Sequence, residues 1–358
     1  MKVAFIKQVP DVHGPWSSVM WKDTTPRGLF DVWPGKATFW EMTCCLQADW
    51  YIIPQQGTGD YIQDILRTIP NGAERVWRYT RNVVEPAQIP VEQYDLVITF
   101  DPIWKPPVES STLFAYFVVE HWDRLYKEAL HGPMAHYDLF LAHMMDAPET
   151  LSALPQALAF PYLRDPDAVH AAFTSEKEEA VWADFRTLTT LGMAETYGVW
   201  VASGHAAARR LEEALCLPVR YKASFNEHRY GVSDPPAWGD AAEYFDAMSR
   251  CKYYVAVGTI AGAGQAICDA ASLQCICIGQ RDKAFHRLIC HPAALCASMI
   301  ELPGRLKVIA DSRELQAEVL AWQESAVRDF FQRKPMKILE EAIAMKQGRL
   351  TRQSVARA

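Results

Sequence analysis

One stretch near the end of the chain limits its fold more than any other. KYYVAV, from Lys252 to Val257, is followed by GTIAGAGQAICDAASLQCICIG, from Gly258 to Gly279. The first six residues, apolar after the lysine and rich in aromatic and β-branched side chains, read as a buried strand. Gly258, Gly262 and Gly264 then permit a turn in which backbone must pass where a Cβ would clash. A short helix opening near Gly264 and a second strand complete a strand–turn–helix–strand unit, the crossover of a parallel sheet. The helix start aims free N–H groups and a positive dipole end at the turn, which suits a phosphate. Gln265 and Asp269 are four residues apart and share one helix face. That spacing fits a ligand carrying a diphosphate at one end and a ribose diol one turn away.

The rest of the chain repeats the alternation. KVAFIK (2–7), WYIIP (50–54), ERVWRY (74–79), DLVITF (95–100), FAYFVV (114–119) and DLFLAH (138–143) are strand-like runs. Their continuity suits a sheet covered on both faces. Asp60 to Ile69 has the clearest helical period between them. Gln8 to Ala37, rich in Pro, Gly, Trp and Asp, reads as a long loop of the functional kind. A charged helix, Ser175 to Leu191, is expected to separate the halves. Beyond it YGVWVAS (197–203) reads as a strand, LPVRYKAS (217–224) as the next, and a helix ends near Arg250. ASMIEL and RLKVIA follow, then a helix from Asp311 with Glu314 as its capping-box partner. Pro335 starts a last helix. The expected fold class is therefore α/β, with two Rossmann-like doubly wound domains facing a cleft and C-terminal helices packing back toward the first. The expected boundaries are 1–173, a linker helix 174–196, a second domain 197–330, and a helix and tail 331–358.

Bulk properties exclude several classes. A chain of 358 residues, half of them hydrophobic, is long enough for two cores. A net charge of −7 gives no reason to expect nucleic acid. The basic residues of the final segment (Arg349, Arg352, Arg357) read as a frayed tail. No run is long enough for a membrane span and the N-terminus looks like a strand rather than a leader, so a cytoplasmic location is expected. Peripheral association with a membrane surface stays open. The nine cysteines show no disulfide-like regularity and should be reduced, mostly buried thiols. Five of the 12 tryptophans (Trp16, Trp21, Trp33, Trp40, Trp50) fall in the first fifty residues. One or two of them are candidates for stacking on a sugar or base, the others for packing.

Two facing Rossmann-like domains, with a glycine turn and an acidic residue late in the second, resemble a GT-B glycosyltransferase. The match is strongest over residues 197–280, where AGAGQAICDAASLQCICIG is similar to the family's glycine turn, acid–alanine helix and strand. The resemblance implies a nucleotide-sugar donor held by the second domain and an acceptor contacted from the first: a glycan, a lipid-linked acceptor or a small molecule. By it Gly262 and Gly264 would border the donor diphosphate, Gln265 would reach a phosphate or the sugar, and Asp269 would accept from the ribose hydroxyls. VASGHAA, which contains Ser203 and Gly204, resembles the family's other phosphate-side turn. Many retaining members carry a Glu eight positions before the ribose-binding acid. Here that position is Ala261, so the chain departs from that branch and the stereochemical outcome is open. No cofactor is expected, since the nucleotide-sugar is itself a substrate, and no metal.

Inverting transfer needs a base for the acceptor hydroxyl and positive charge or amide dipoles for the departing phosphate. Asp11 and His13, after the first strand, are candidates for the base, with Glu120 (beside His121) as a rival at another strand end. Arg220 and Lys222, ending a second-domain strand, are candidates to stabilise the leaving group, with Arg229 beyond them. His286 lies in GQRDKAFHRLICHP, read as a loop and helix beside the nucleotide, where Arg287 and His291 are further candidates for contact. Three patterns carry less weight. Asp165-Pro166-Asp167 has the Asp-x-Asp form of a metal site but is short and near a domain boundary. Cys275, Cys277, His286, Cys290 and His291 match no structural zinc spacing. Gln56-Gly57-Thr58-Gly59 is a lone glycine turn. The rival functions are a nucleotide-sugar epimerase of the same architecture and a non-catalytic two-domain ligand-binding protein.

Overall fold

The apolar runs of the first half are strands of one parallel sheet, and their alternation explains why both of its faces are covered. The computed structural model describes residues 1–8, 37–53, 80–83, 89–99, 105–107, 109–118, 136–142, 157–183, 204–221, 241–256 and 265–357. These belong to two units, Met1–Leu163 with Phe330–Ala358, and Arg164–Asp329. In the first, β1 (Val3–Gln8), β2 (Asp49–Ile53), β3 (Thr80–Val83), β4 (Leu96–Thr99), β5 (Leu113–Val118), β6 (Leu139–Ala142) and β7 (Ala157–Ala159) lie in the order β3-β2-β1-β4-β5-β6-β7. Val3, Phe5, Leu96, Ile98, Ala115, Phe117, Leu139 and Leu141 point into one core, joined by Met42 and Leu46 of helix α1 (Ala37–Leu46). Ala4, Ile6, Val97, Phe114, Tyr116 and Phe140, the residues between them, point into the other. A period of two with no polar position is what a doubly covered sheet requires. β3 (TRNV) and β7 (ALA) are too short and too plain to show in the sequence. The expected strand 74–79 and helix 60–69 lie outside the described residues.

The second unit opens with α2 (Pro166–Phe173), then β8 (Glu178–Ala183), α3 (Gly204–Leu215), β9 (Val219–Tyr221), α4 (Ala241–Ser249), β10 (Cys251–Val255), α5 (Gln265–Ser272) and β11 (Ile276–Gln280). It continues with α6 (Ala284–Ile289), β12 (Leu295–Cys296), α7 (Leu302–Ala310) and α8 (Arg313–Arg328). Its sheet is parallel, in the order β12-β11-β10-β8-β9. Here the charged linker helix is corrected: residues 178–183 are an interior strand of this sheet, between β10 and β9. The reading failed because Glu178 and Glu179 project from the strand's exposed start, while Ala180, Val181, Trp182 and Ala183 are buried. The boundary moves with it, from residue 173 to Leu163, because α2 packs on α4, α5 and α8 of the second unit. RLKVIA lies in α7, and α8 is capped by Ser312, whose side chain accepts from Leu315 N–H at 3.1 Å. Asp311 is the residue before that cap.

The last helix is not a fresh start. α8 passes through a π-helical turn, Asp329–Arg333, into α9 (Lys334–Arg357). Pro335 has no N–H to give and its ring crowds the carbonyl four residues back, so a widened turn just before it is the expected relief. Leu339 and Ile343 of α9 enter the first unit's core, and Lys346 bonds Asp138 at 2.6 Å. The C-terminal helix thus returns to the first unit, as the sequence led us to expect. Among the described residues no helix is long and apolar enough to cross a membrane.

Candidate functional site

Both sheets contain a point where the strand order reverses, and in open parallel sheets ligands bind beyond the carboxyl ends of the strands there. In the first unit it lies between β1 and β4, in the second between β8 and β10. β10 ends at Val255, and α5 begins at Gln265, the first residue after the glycine turn. α3 begins at Gly204, on the chain that leaves β8. The expected strand 197–203, and VASGHAA as far as Ser203, lie outside the described residues. Helices that cross between parallel strands start at the strands' carboxyl edge, so α3 and α5 both begin at the switch-point side.

α5 is fixed along its length. Its C-terminus closes as a Schellman motif, with Cys275 N–H on Ala270 O at 2.9 Å and Gln274 N–H on Ala271 O at 3.0 Å. Gln274 takes the left-handed conformation (φ 58°) that glycine usually supplies at this position. Lys177, just before β8, donates to Leu273 O at 2.8 Å, a cation at the negative helix end. One turn in from the N-terminus, Asp269 is 4% exposed and its Oδ1 accepts from Nη1 of Arg164, itself 1% exposed. Arg164 was not among the sequence candidates. It lies 105 residues from Asp269, and nothing in the sequence links the two.

Other candidates find structural employment. Arg220 of β9 lies opposite Trp182 in register, but its guanidinium bonds Glu178, four residues back toward the amino end of β8. It points away from the edge where a leaving group would sit, which corrects its proposed role. His286 is 1% exposed, its Nδ1 accepts from Gln280 N–H at 2.9 Å, and burial pulls its pKa down to about 4. It packs so closely on β11 that a Cβ at Gly279 would lie 2.9 Å from the His286 Cβ and 2.7 Å from Cys290 Sγ. This is a core histidine, and a donor contact through its buried ring is corrected too. Asp165 caps α2 by accepting from Ala168 N–H at 3.0 Å, while Asp167 pairs with Arg328 at 2.6 Å. Cys275 and Cys277 are buried, and burial pushes both thiols up, away from the thiolate form a metal would need. Among the described residues no group of three His, Cys, Asp or Glu side chains is placed to hold a metal ion.

Asp11, His13, Glu120, Ser203, Lys222, Gly262 and Gly264 lie outside the described residues, as do Trp16, Trp21, Trp33 and the 56–59 turn. Gln265 is placed as the first residue of α5.

Two parallel α/β units, with switch points in orders 3-2-1-4-5-6-7 and 2-1-3-4-5 and a C-terminal helix returning to the first, define a GT-B-type fold. The chain is similar to several solved structures. HepE of Anabaena, in complex with UDP-glucose, matches with a TM-score of 0.50 at 11% identity, over 99% of this chain and 100% of that one. A glycosyltransferase of Rickettsia africae matches at 0.48 and 10% identity over 96% and 99% of the two chains. T4 phage BGT with UDP and Mn2+ matches at 0.45 and 11% identity, again over 96% and 99%. No family model and no curated protein matches the sequence.

Proposed function

We propose that this protein is a glycosyltransferase whose second unit binds a nucleotide-diphosphate sugar and whose first unit contacts the acceptor. One observation carries the reading: in a GT-B-type fold, β10 at the switch point of the second sheet and the start of α5 flank the glycine-rich sequence 258–264. Amides at such a helix start bind a diphosphate and stabilise its charge as the glycosidic bond breaks. HepE, which shares the fold, is described in complex with UDP-glucose, so a uridine nucleotide is the first donor to try.

Gly262, Gly264 and Gln265 surround the diphosphate in this reading, with Ser203 and Gly204 on its far side and Lys222 as the remaining cation. Asp269 meets the ribose. Asp11 or His13 takes the acceptor proton, with Glu120 as the rival base. The reaction is metal-independent in this reading, because the single Asp-x-Asp is spent on a helix cap and an ion pair. The acceptor is a glycan, a lipid-linked sugar or a small molecule, and the enzyme works in the cytoplasm without a cofactor.

A thermal-shift series with UDP, GDP, CMP and dTDP tests the donor site. One diphosphate at a hundred times its Kd should stabilise by about 2.7 kcal/mol and raise Tm by several degrees. No shift with any of the four would favour a binding protein for another ligand. Epimerised donor formed without any acceptor would favour an epimerase.

A further inference from the structure

We propose that Arg164 is a positioning residue for the donor site: it aims the Asp269 carboxylate so that the site selects ribonucleotides over 2′-deoxyribonucleotides. The inference rests on the donor reading above and assigns a specificity to it.

Three observations converge. The first is the pair itself, with Arg164 Nη1 on Asp269 Oδ1 and side chains only 1% and 6% exposed. A guanidinium is a rigid planar fork, and held among packed atoms it fixes the plane of the carboxylate it meets. The second is how firmly Arg164 is mounted. It directly precedes Asp165, which caps α2, and Pro166, the first residue of that helix. α2 in turn packs on α5, and Phe173 of α2 stacks on Phe245 of α4 with ring centroids 4.9 Å apart. The third is the place of Asp269, four residues into α5, about 6 Å along the axis from the first residue after the glycine turn.

A carboxylate is acceptor-only and offers about four lone-pair positions, so one bond from Arg164 is compatible with bonds from ribose hydroxyls. A site arranged around a hydroxyl discriminates against the analogue that lacks it, because the polar group facing it is then left unmatched. The 2′-hydroxyl is the difference between UDP and dUDP. The discrimination between them therefore reports how well Asp269 is aimed.

The experiment is calorimetric titration of UDP and dUDP into the wild-type chain, Arg164→Lys, and the double variant Arg164→Met/Asp269→Asn. Arg164→Lys keeps the charge without the fork, and the double variant strands no buried charge if the lysine variant fails to fold. The wild type should prefer UDP over dUDP at least tenfold. In either variant the preference should fall below about threefold, chiefly through weaker UDP binding. A merely structural pair would weaken both nucleotides alike and leave the ratio unchanged. An unchanged ratio in a folded variant overturns the inference and leaves the donor reading standing. A wild type that binds both nucleotides equally overturns the ribose contact, and the inference with it. A wild type that binds no nucleoside diphosphate overturns the donor reading itself.

Discussion

The two units bury different kinds of polar contact: a hydroxyl network in the first and an ion pair in the second. In the first, Tyr94 hydroxyl bonds Tyr51 hydroxyl at 2.7 Å and Asp49 Oδ2 at 2.9 Å, beside the amino ends of β2 and β4. Asp95 accepts from Lys2 N–H at 2.7 Å along the same edge. These bonds tie strand starts together, away from the carboxyl edge where ligands bind. In the second unit the buried charges, Arg164 and Asp269, fix the helix that leaves the switch point. Hydrogen-bonded hydroxyls cost less to bury than a charge, so they serve as clips. A buried ion pair is expensive unless both partners stay in place, which suits a part whose position matters.

The largest expected effect tests that contrast directly. Arg164→Met should cost about 3–5 kcal/mol in urea unfolding, because it removes the cation paired with the buried Asp269 carboxylate. Arg164→Met/Asp269→Leu should recover most of that loss. If the double variant is no more stable than the single, the pair is not the source of the effect.

A second prediction concerns His286, a buried imidazole of the second unit. The fold holds its ring neutral down to a pH of about 4. The unfolded chain takes up the proton below about 6.5, so the native state loses stability as pH falls from 6.5 toward 4. The full difference is roughly 3 kcal/mol. His286→Gln should flatten that part of the stability–pH curve relative to wild type, and an unchanged slope would place the titration elsewhere.

The smallest effect belongs to the first unit. Tyr94→Phe removes a hydroxyl that serves Tyr51 and Asp49 and should cost about 1–2 kcal/mol. It should leave UDP affinity within error of wild type by calorimetry. A clear loss of affinity would mean that this hydroxyl network communicates with the donor site, and the contrast between the two kinds of contact would fail.

Much of the architecture was legible because it rests on local pattern. Doubly buried strands such as VAFIKQ and LFAYFV have no polar alternation, and that alone marks a parallel sheet with two covers. The two strands and the helix within 252–279 were read nearly to the residue. β8 was not, because its glutamates obey the surface while AVWA obeys the core, and in one dimension the two average to a charged helix. Arg220 and His286 looked like ligand contacts because a sequence shows that a charged or imidazole group is present, but not where it points.

The sequence by itself determined that this chain builds two α/β units and that a phosphate-suited turn opens a helix bearing Asp269. Both follow from residues within reach of one another along the chain. Only the tertiary structure decided that β8 lies beside β10 at the switch point of the second sheet, that α2 belongs to that unit, and that Arg164 holds Asp269. Burial and pairing depend on what the fold brings alongside, and a partner 105 residues away leaves no mark on the local pattern.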